Sequence, residues 1–233
     1  MKSLAIAVSA LALLSASPSL AQTANWNGPY IGLHAGGAWG HASTSDDAKD
    51  WGNDPKFIGP FNYNPEGAFG GGTAGFNIQL DRVVLGVEGD IGYIDLSGSM
   101  DTPSSQSGNH QTLSVDGGLY GVVAARAGIL VTPATLVYAK GGFAIFDGDA
   151  TQTTTAKGYE THGTGTFTGF AYGGGIEQKL TDAISIKVEY LHFDFGSEDG
   201  DQTSLTDPPV GHVYGNRTSL EADTVKVGLN YRF

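Results

Sequence analysis

Charged side chains recur at one parity of otherwise apolar, alternating segments: Glu88, Arg126, Lys140, Glu189 and Lys226, with His34 at the same kind of position. A two-residue alternation is the mark of a strand with two unlike faces. If one face meets an apolar medium, the ionised groups share the other, where opposite charges either neutralise one another or line a path for ions. Both outcomes need the same elements, strands long enough to carry a charge near mid-length.

Other motifs are chemically tempting and lead elsewhere. Gly70-x-Gly72-x-x-Gly75 has the letters of a dinucleotide fingerprint, but that fingerprint works by opening a helix whose N-terminus holds pyrophosphate. Here the glycines sit inside a strand-like stretch that continues through Phe76, Ile78 and Leu80, so close strand packing is expected instead, as for Gly173-Gly174-Gly175. His41, His110, His162, His192 and His212 fall toward the ends of the segments that carry long connections. Imidazole or tyrosine oxygen ligates haem iron, and His162 lies near Tyr159 as His212 lies near Tyr214, which makes His162 and His212 the haem candidates; solvated rim histidines are the plainer expectation. The acidic runs Asp46-Asp47 with Asp50 and Asp54, and Glu198-Asp199-Gly200-Asp201, offer oxygen ligands for calcium or magnesium but lack EF-hand spacing. They are expected to be solvated loops, and no metal site is assigned. No spacing singles out a Ser, His and acid trio for nucleophilic catalysis, so no enzyme activity is expected.

Eight alternating segments carry these residues, and their connections alternate in length. Leu80-Asp81-Arg82, Thr132-Pro133-Ala134 and Thr181-Asp182-Ala183 form tight turns, with Pro and Asp where turns favour them. Residues of about 46–64, 98–112, 151–164 and 197–218 are rich in Asp, Ser, Thr, Gly, Asn and Pro and are expected to be long loops. Short turns at one rim and long loops at the other predict an all-β, eight-stranded antiparallel up-and-down transmembrane β-barrel, with periplasmic turns and four extracellular loops. In the third strand Val83, Leu85, Val87, Ile91 and Tyr93 face lipid while Glu88 and Asp90 face inward. In the seventh Ile184, Ile186, Val188 and Tyr190 oppose Ser185, Lys187 and Glu189, and in the first Ile31, Leu33, Ala35 and Trp39 oppose Tyr30, His34 and Gly36. The last nine residues, Val225 to Phe233, alternate without a break and end on an aromatic.

At the other end, Lys2 precedes an apolar run from Leu4 to Leu14 that leads to Ser19-Leu20-Ala21, the pattern of a signal peptide removed at residues 1–21. The run is shorter than the ~20 residues that span a bilayer as a helix, and no later segment is longer. Residues 22–233 are then a single barrel domain. Loss of Lys2 takes the formal charge from −12 to −13, which makes nucleic acid an unsuitable partner. With 36 Gly, 11 Phe, 10 Tyr and no Cys, the exported chain must gain its stability from barrel closure rather than disulfides.

Counted from the short-turn rim, His34, Glu88, Arg126, Lys140, Glu189 and Lys226 fall roughly seven residues up their strands and form a mid-lumen belt. Asp90, Asp116, Glu177 and Lys187 fall in adjoining layers, and Glu88 with Arg126 and Glu189 with Lys226 lie on neighbouring strands. An eight-stranded barrel is only wide enough for side chains to fill, so the belt is expected to close the lumen.

The opening Trp26-Asn27-Gly28-Pro29-Tyr30-Ile31-Gly32-Leu33-His34-Ala35-Gly36-Gly37, the Gly-rich second strand near Gly70 to Gly75, and the Val225 to Phe233 ending resemble the small eight-stranded outer-membrane proteins of alphaproteobacteria. These are the immunogenic-protein branch of the OmpA-like barrel superfamily, and the resemblance covers the whole mature chain. It implies residence in the bacterial outer membrane among lipid and lipopolysaccharide, and assembly by the barrel-assembly machinery through a C-terminal signal carried by Tyr231 and Phe233. It implies a monomer without cofactor or shared catalytic motif. Relatives include envelope proteins, surface antigens, small porin-like proteins and some haemin binders. The chain is expected to stop at its eighth strand, without a peptidoglycan-binding domain.

Overall fold

The structure, a computed structural model, describes residues 25–46, 60–103, 110–154, 159–203 and 213–233. The expected signal peptide lies outside them. Among the described residues nine strands are formed: β1 Gly28–Asp46, β2 Phe61–Tyr63, β3 Glu66–Leu80, β4 Val83–Pro103, β5 His110–Thr132, β6 Thr135–Thr154, β7 Tyr159–Lys179, β8 Ile184–Thr203 and β9 Val213–Arg232. All but β2 pair antiparallel with their neighbours in sequence order, and β1 closes on β9 along its whole length from Tyr30↔Arg232 to Asp46↔Asn216. Eight strands therefore make a closed barrel, while β2 adds three residues to β1 beside Ala42 to Thr44. Closure removes every free sheet edge from the lipid zone, which a backbone without water requires.

The turns between β3 and β4, β5 and β6, and β7 and β8 fall at the predicted places. The first is two residues long, and Asp81 takes a φ of 56°, a left-handed conformation that Asp tolerates. The other rim differs from expectation. Strands run through most of the segments assigned to loops, with β5 beginning at His110, β7 at Tyr159 and β8 reaching Thr203. The eight strands have 15–23 residues, whereas a tilted strand crosses a bilayer in about 9–11. Above the membrane both faces of a strand are wet, so Ser, Thr, Asp and Gly replace the apolar partners and the alternation that marks a strand disappears from the sequence.

Around the wall, one parity of each strand is outward and apolar: Ile31 and Leu33, Phe76 and Ile78, Leu85 and Val87, Val123 and Ile129, Val137 and Phe143, Leu229 and Tyr231. Leu33 is 73% exposed and Val123 70%, values that suit only a lipid surface. Trp39, Tyr93, Phe170 and Tyr190 end this band at one rim and Tyr231 and Phe233 at the other, as interfacial girdles do. The opposite parity fills the interior.

Candidate functional site

The interior is built in three layers. At the periplasmic mouth Trp26 is fully buried against Val84, Leu130, Leu136 and Tyr138. Its indole Nε1 donates to the Pro133 carbonyl at 3.1 Å, its backbone N–H donates to Gln79 Oε1 at 2.8 Å, and its carbonyl accepts from Arg232 Nη1 at 2.6 Å. Lys179 Nζ and the Arg232 guanidinium lie 5.3 and 5.2 Å from its ring centre, in cation–π range. The residues before β1 thus stopper the barrel. Trp26 belongs to no strand, so no alternation signals its position.

The middle layer is ionic. Glu88 Oε1 accepts from Lys140 Nζ at 2.6 Å and Lys187 Nζ at 2.8 Å, and its Oε2 from Arg126 Nη1 at 3.1 Å and the Tyr30 hydroxyl at 2.7 Å. Asp90 Oδ2 holds Lys140 at 2.6 Å and Lys226 at 2.8 Å. Glu189 Oε1 holds Lys226 at 2.8 Å and Lys140 at 3.3 Å, while its Oε2 accepts from the Tyr138 hydroxyl at 2.7 Å. Glu177 Oε2 pairs with Arg126 Nη2 at 2.7 Å, and its Oε1 accepts from Ser185 at 2.6 Å and Asn230 at 3.1 Å. Four carboxylates thus meet four cations from the walls, Arg126, Lys140, Lys187 and Lys226, with Arg232 3.8 Å from Glu177 on the stopper side. All nine are buried. Ions taken from water persist when they are paired and hydrogen-bonded; among the described residues only Arg126 Nε and Arg232 Nη2 of these nine side chains are buried without a hydrogen bond.

Five of the six belt residues expected from sequence, Glu88, Arg126, Lys140, Glu189 and Lys226, stand in this network. His34 lies one layer higher, held by the Thr73 hydroxyl at 2.9 Å and by a short hydrogen bond to the Tyr120 hydroxyl, and it comes no nearer Asp90 than 3.7 Å. Asp90, Glu177 and Lys187 prove to be full partners. Asp116 falls in β5, but its side chain lies outside the described residues. Tyr30, expected on the inward face, bonds Glu88, and two further partners join from the same parity, Tyr138 with that of Lys140 and Arg232 with that of Lys226.

The carboxylates of Glu88, Asp90 and Glu189 are close enough to share one metal ion, and among the described residues they form the one such group. Lys140 Nζ touches all three, so an ammonium already supplies the positive charge there. Of the haem candidates, His162 falls in β7 opposite Thr151, its side chain outside the described set, and His212 lies outside the described residues. His192 faces outward from β8, 2.9 Å from Asp223, which also accepts the Tyr190 hydroxyl at 2.6 Å. His41 faces outward beside Asn64 at 2.8 Å. The Gly70 to Gly75 run lies within β3, where no helix follows it.

The upper layer is aromatic, which the sequence expectation of a charged belt does not include. Phe69, Phe146, Leu191, Phe193 and Phe195 point inward above the ions, with Ile94, Tyr120, Phe167, Leu220 and Ala222 packed against them. Phe193 stacks on Phe195 at 5.9 Å, and Phe69 meets Tyr120 edge-on at 5.7 Å. Barrel lumens in membranes are normally polar; among the described residues this one turns aromatic above its ionic middle.

Residues 6–233 match the family described as outer membrane protein beta-barrel domain. The chain is 32% identical over 222 residues to the 31 kDa outer-membrane immunogenic protein of Brucella melitensis, covering 91% of this chain and 85% of that one. It is 30% identical over 209 residues to the 25 kDa outer-membrane immunogenic protein of Brucella abortus, covering 90% and 80%. Among solved structures it resembles the outer membrane protease OmpT from Escherichia coli with a TM-score of 0.51, 10% identity, and coverage of 94% of this chain and all of that one, a likeness of fold alone.

Proposed function

The chain belongs to the outer membrane protein beta-barrel domain family, and we propose that it serves the outer membrane as a structural, surface-exposed barrel with a lumen closed to solutes. The observation that carries this reading is the contact of Glu88 on β4 with Lys187 on β8, at 2.8 Å. In the ring β1-β3-β4-β5-β6-β7-β8-β9 these strands lie four apart, on opposite walls, so one ion pair bridges the whole lumen. Trp26 adds a second closure below it. An open pore needs a continuous wet path, and the ionic layer and the aromatic layer above it each interrupt one.

The outward apolar band is the lipid contact, and the strand ends above it face lipopolysaccharide. A barrel without free edges in the lipid zone is complete as a monomer. Tyr231 and Phe233, exposed and edge-on at 5.3 Å, are the residues offered to the assembly machinery. The protein is not an enzyme in this reading: the pairing of His192 and Asp223 on the outer wall has Tyr190 as its third member. The test is a deletion strain. Loss of the protein should raise detergent sensitivity and vesicle shedding, and restoring the full barrel should reverse both; an unchanged envelope would refute the structural role.

A further inference from the structure

The outward apolar band is unevenly filled. On β8 and β9 it is bulky, with Ile186, Val188, Val227 and Leu229, whereas three neighbouring strands put glycines on the same face. Gly72 of β3 lies opposite the outward Ile91 of β4, Ile91 opposite Gly121 of β5, and Gly89 of β4 opposite the outward Val123 of β5. Directly opposed residues share a face. Around this low floor Ile91, Val123, Phe143 and Phe170 stand 58–70% exposed, and the last two lean together with ring centres 5.1 Å apart. Floor and flanks form a groove of about 880 Å³. Thr73 and Asp90 lie along it with their side chains turned inward to His34 and Lys140, so Thr168 is the one outward polar side chain of its lining.

Crowding does not demand the glycines at residues 72 and 89. A Cβ at either would meet nothing nearer than a carbonyl oxygen at 3.8 Å, whereas one at the inward Gly71 would fall 2.2 Å from the Ile91 carbonyl oxygen. Glycine weakens a strand and often marks a place where another molecule comes close to the backbone. The groove also has a definite height. Gly89 is the seventh residue of β4 from the short-turn rim, Ile91 and Phe143 are the ninth of β4 and β6, and Phe170 lies nine residues before the end of β7. A tilted strand crosses the bilayer in about 9–11 residues, so the groove occupies the outer half.

We infer that this groove holds one acyl chain of a lipopolysaccharide molecule as a retained, ordered lipid of the outer leaflet. The groove is continuous with the lipid-facing band and its volume falls within the range of about 300–1,000 Å³ usual for ligand clefts. Lipid tails are as apolar as leucine, so a tail gains nothing from the hydrophobic effect by touching one part of the wall and not another. What separates the sites is van der Waals packing, which small residues improve by letting the partner reach the backbone. A chain over Gly72 and Gly89 touches floor and flanks together; a chain on the even surface of β8 and β9 touches one side. Height selects the outer leaflet, which in this membrane is lipopolysaccharide. The inference rests on the reading of the outward band as the lipid contact.

The test is native mass spectrometry of the mature barrel extracted from its membrane in mild detergent. The expected result is one lipopolysaccharide per barrel, lost in Gly72→Leu and Gly89→Leu and kept in Val227→Leu on β9 outside the groove, each variant shown to be folded by heat-modifiable gel mobility. Absence of retained lipopolysaccharide, retention that survives filling of the groove, phospholipid in its place, or a lipid-free dimer would each overturn the assignment. Each would leave the lipid-facing reading of the band standing, whereas a chain missing from the membrane fraction would refute both. Should neither groove variant fold, Overhauser contacts in deuterated detergent between the methylenes of the retained lipopolysaccharide and the labelled rings of Phe143 and Phe170 decide: their presence sustains the site and their absence refutes it.

Discussion

Glu88 and Lys187 face each other from opposite walls of the barrel, and their charged atoms meet at 2.8 Å in its centre. Both side chains are fully enclosed. Glu88 at the same time holds Lys140 and Arg126, so one carboxylate ties β4 to β5, β6 and β8. The lumen is cross-braced through this residue.

Replacing Glu88 with Ala leaves Lys140, Lys187 and Arg126 short of a counter-charge in a dry interior. Breaking a buried pair from one side costs about 3–5 kcal/mol. The expected result is a lower midpoint for loss of the compact, heat-modifiable band on gels, and an unchanged midpoint would refute the bracing role.

Trp26→Ala empties the periplasmic stopper. Large-to-small changes of buried aromatics cost about 3–5 kcal/mol, and Arg232 and Lys179 lose the ring between them. Thermal melting should fall accordingly. Ion conductance should stay absent, because the ionic layer above is intact; conductance appearing on this change alone would make the stopper, and not the ions, the seal.

Gly75 is where wall and network touch. The Tyr30 ring lies over it, so a Cβ at residue 75 would collide with the ring carbons and hydroxyl. That hydroxyl donates to Glu88 at 2.7 Å and accepts from Arg126 at 3.0 Å. Gly75→Ala should therefore displace Tyr30 and destabilise the barrel by about 1–3 kcal/mol, the usual range for overpacking. Combining it with Tyr30→Phe, which lacks the displaced hydroxyl, should give less than the sum of the two single effects, as residues sharing one contact do. Strict additivity in melting would contradict the link.

Much of this was legible in the residues. Val83, Leu85 and Val87 against Glu88 and Asp90 assign faces without ambiguity, because lipid and lumen demand opposite chemistry at a two-residue period. Parity also contained the aromatic layer: Phe193 and Phe195 continue the inward set of Lys187 and Glu189, and Phe146 that of Lys140. Parity alone does not mark it, because an inward phenylalanine looks like any apolar residue near a strand end. Period alone says nothing of height or of which side chains meet across a lumen, so it points to neighbouring pairs such as Glu88 with Arg126 and not to the opposite-wall pair with Lys187. The stopper role of Trp26 has no such signal, because the residue lies before the first strand, where no period applies.

Phe233 is 71% exposed and adds no core contact. Phe233→Ala should lower the yield of inserted barrel in cells while leaving the melting of protein refolded in detergent unchanged. Normal insertion would separate the aromatic ending from assembly.

The central claim is that the ionic layer closes the barrel, and single-channel recording across a planar bilayer holding the refolded protein tests it most directly. With insertion verified independently, the closed lumen predicts a silent bilayer. Long-lived, stable current steps that rise when Arg126 or Lys140 is replaced by Ala would contradict it and make the charged layer the lining of a pore.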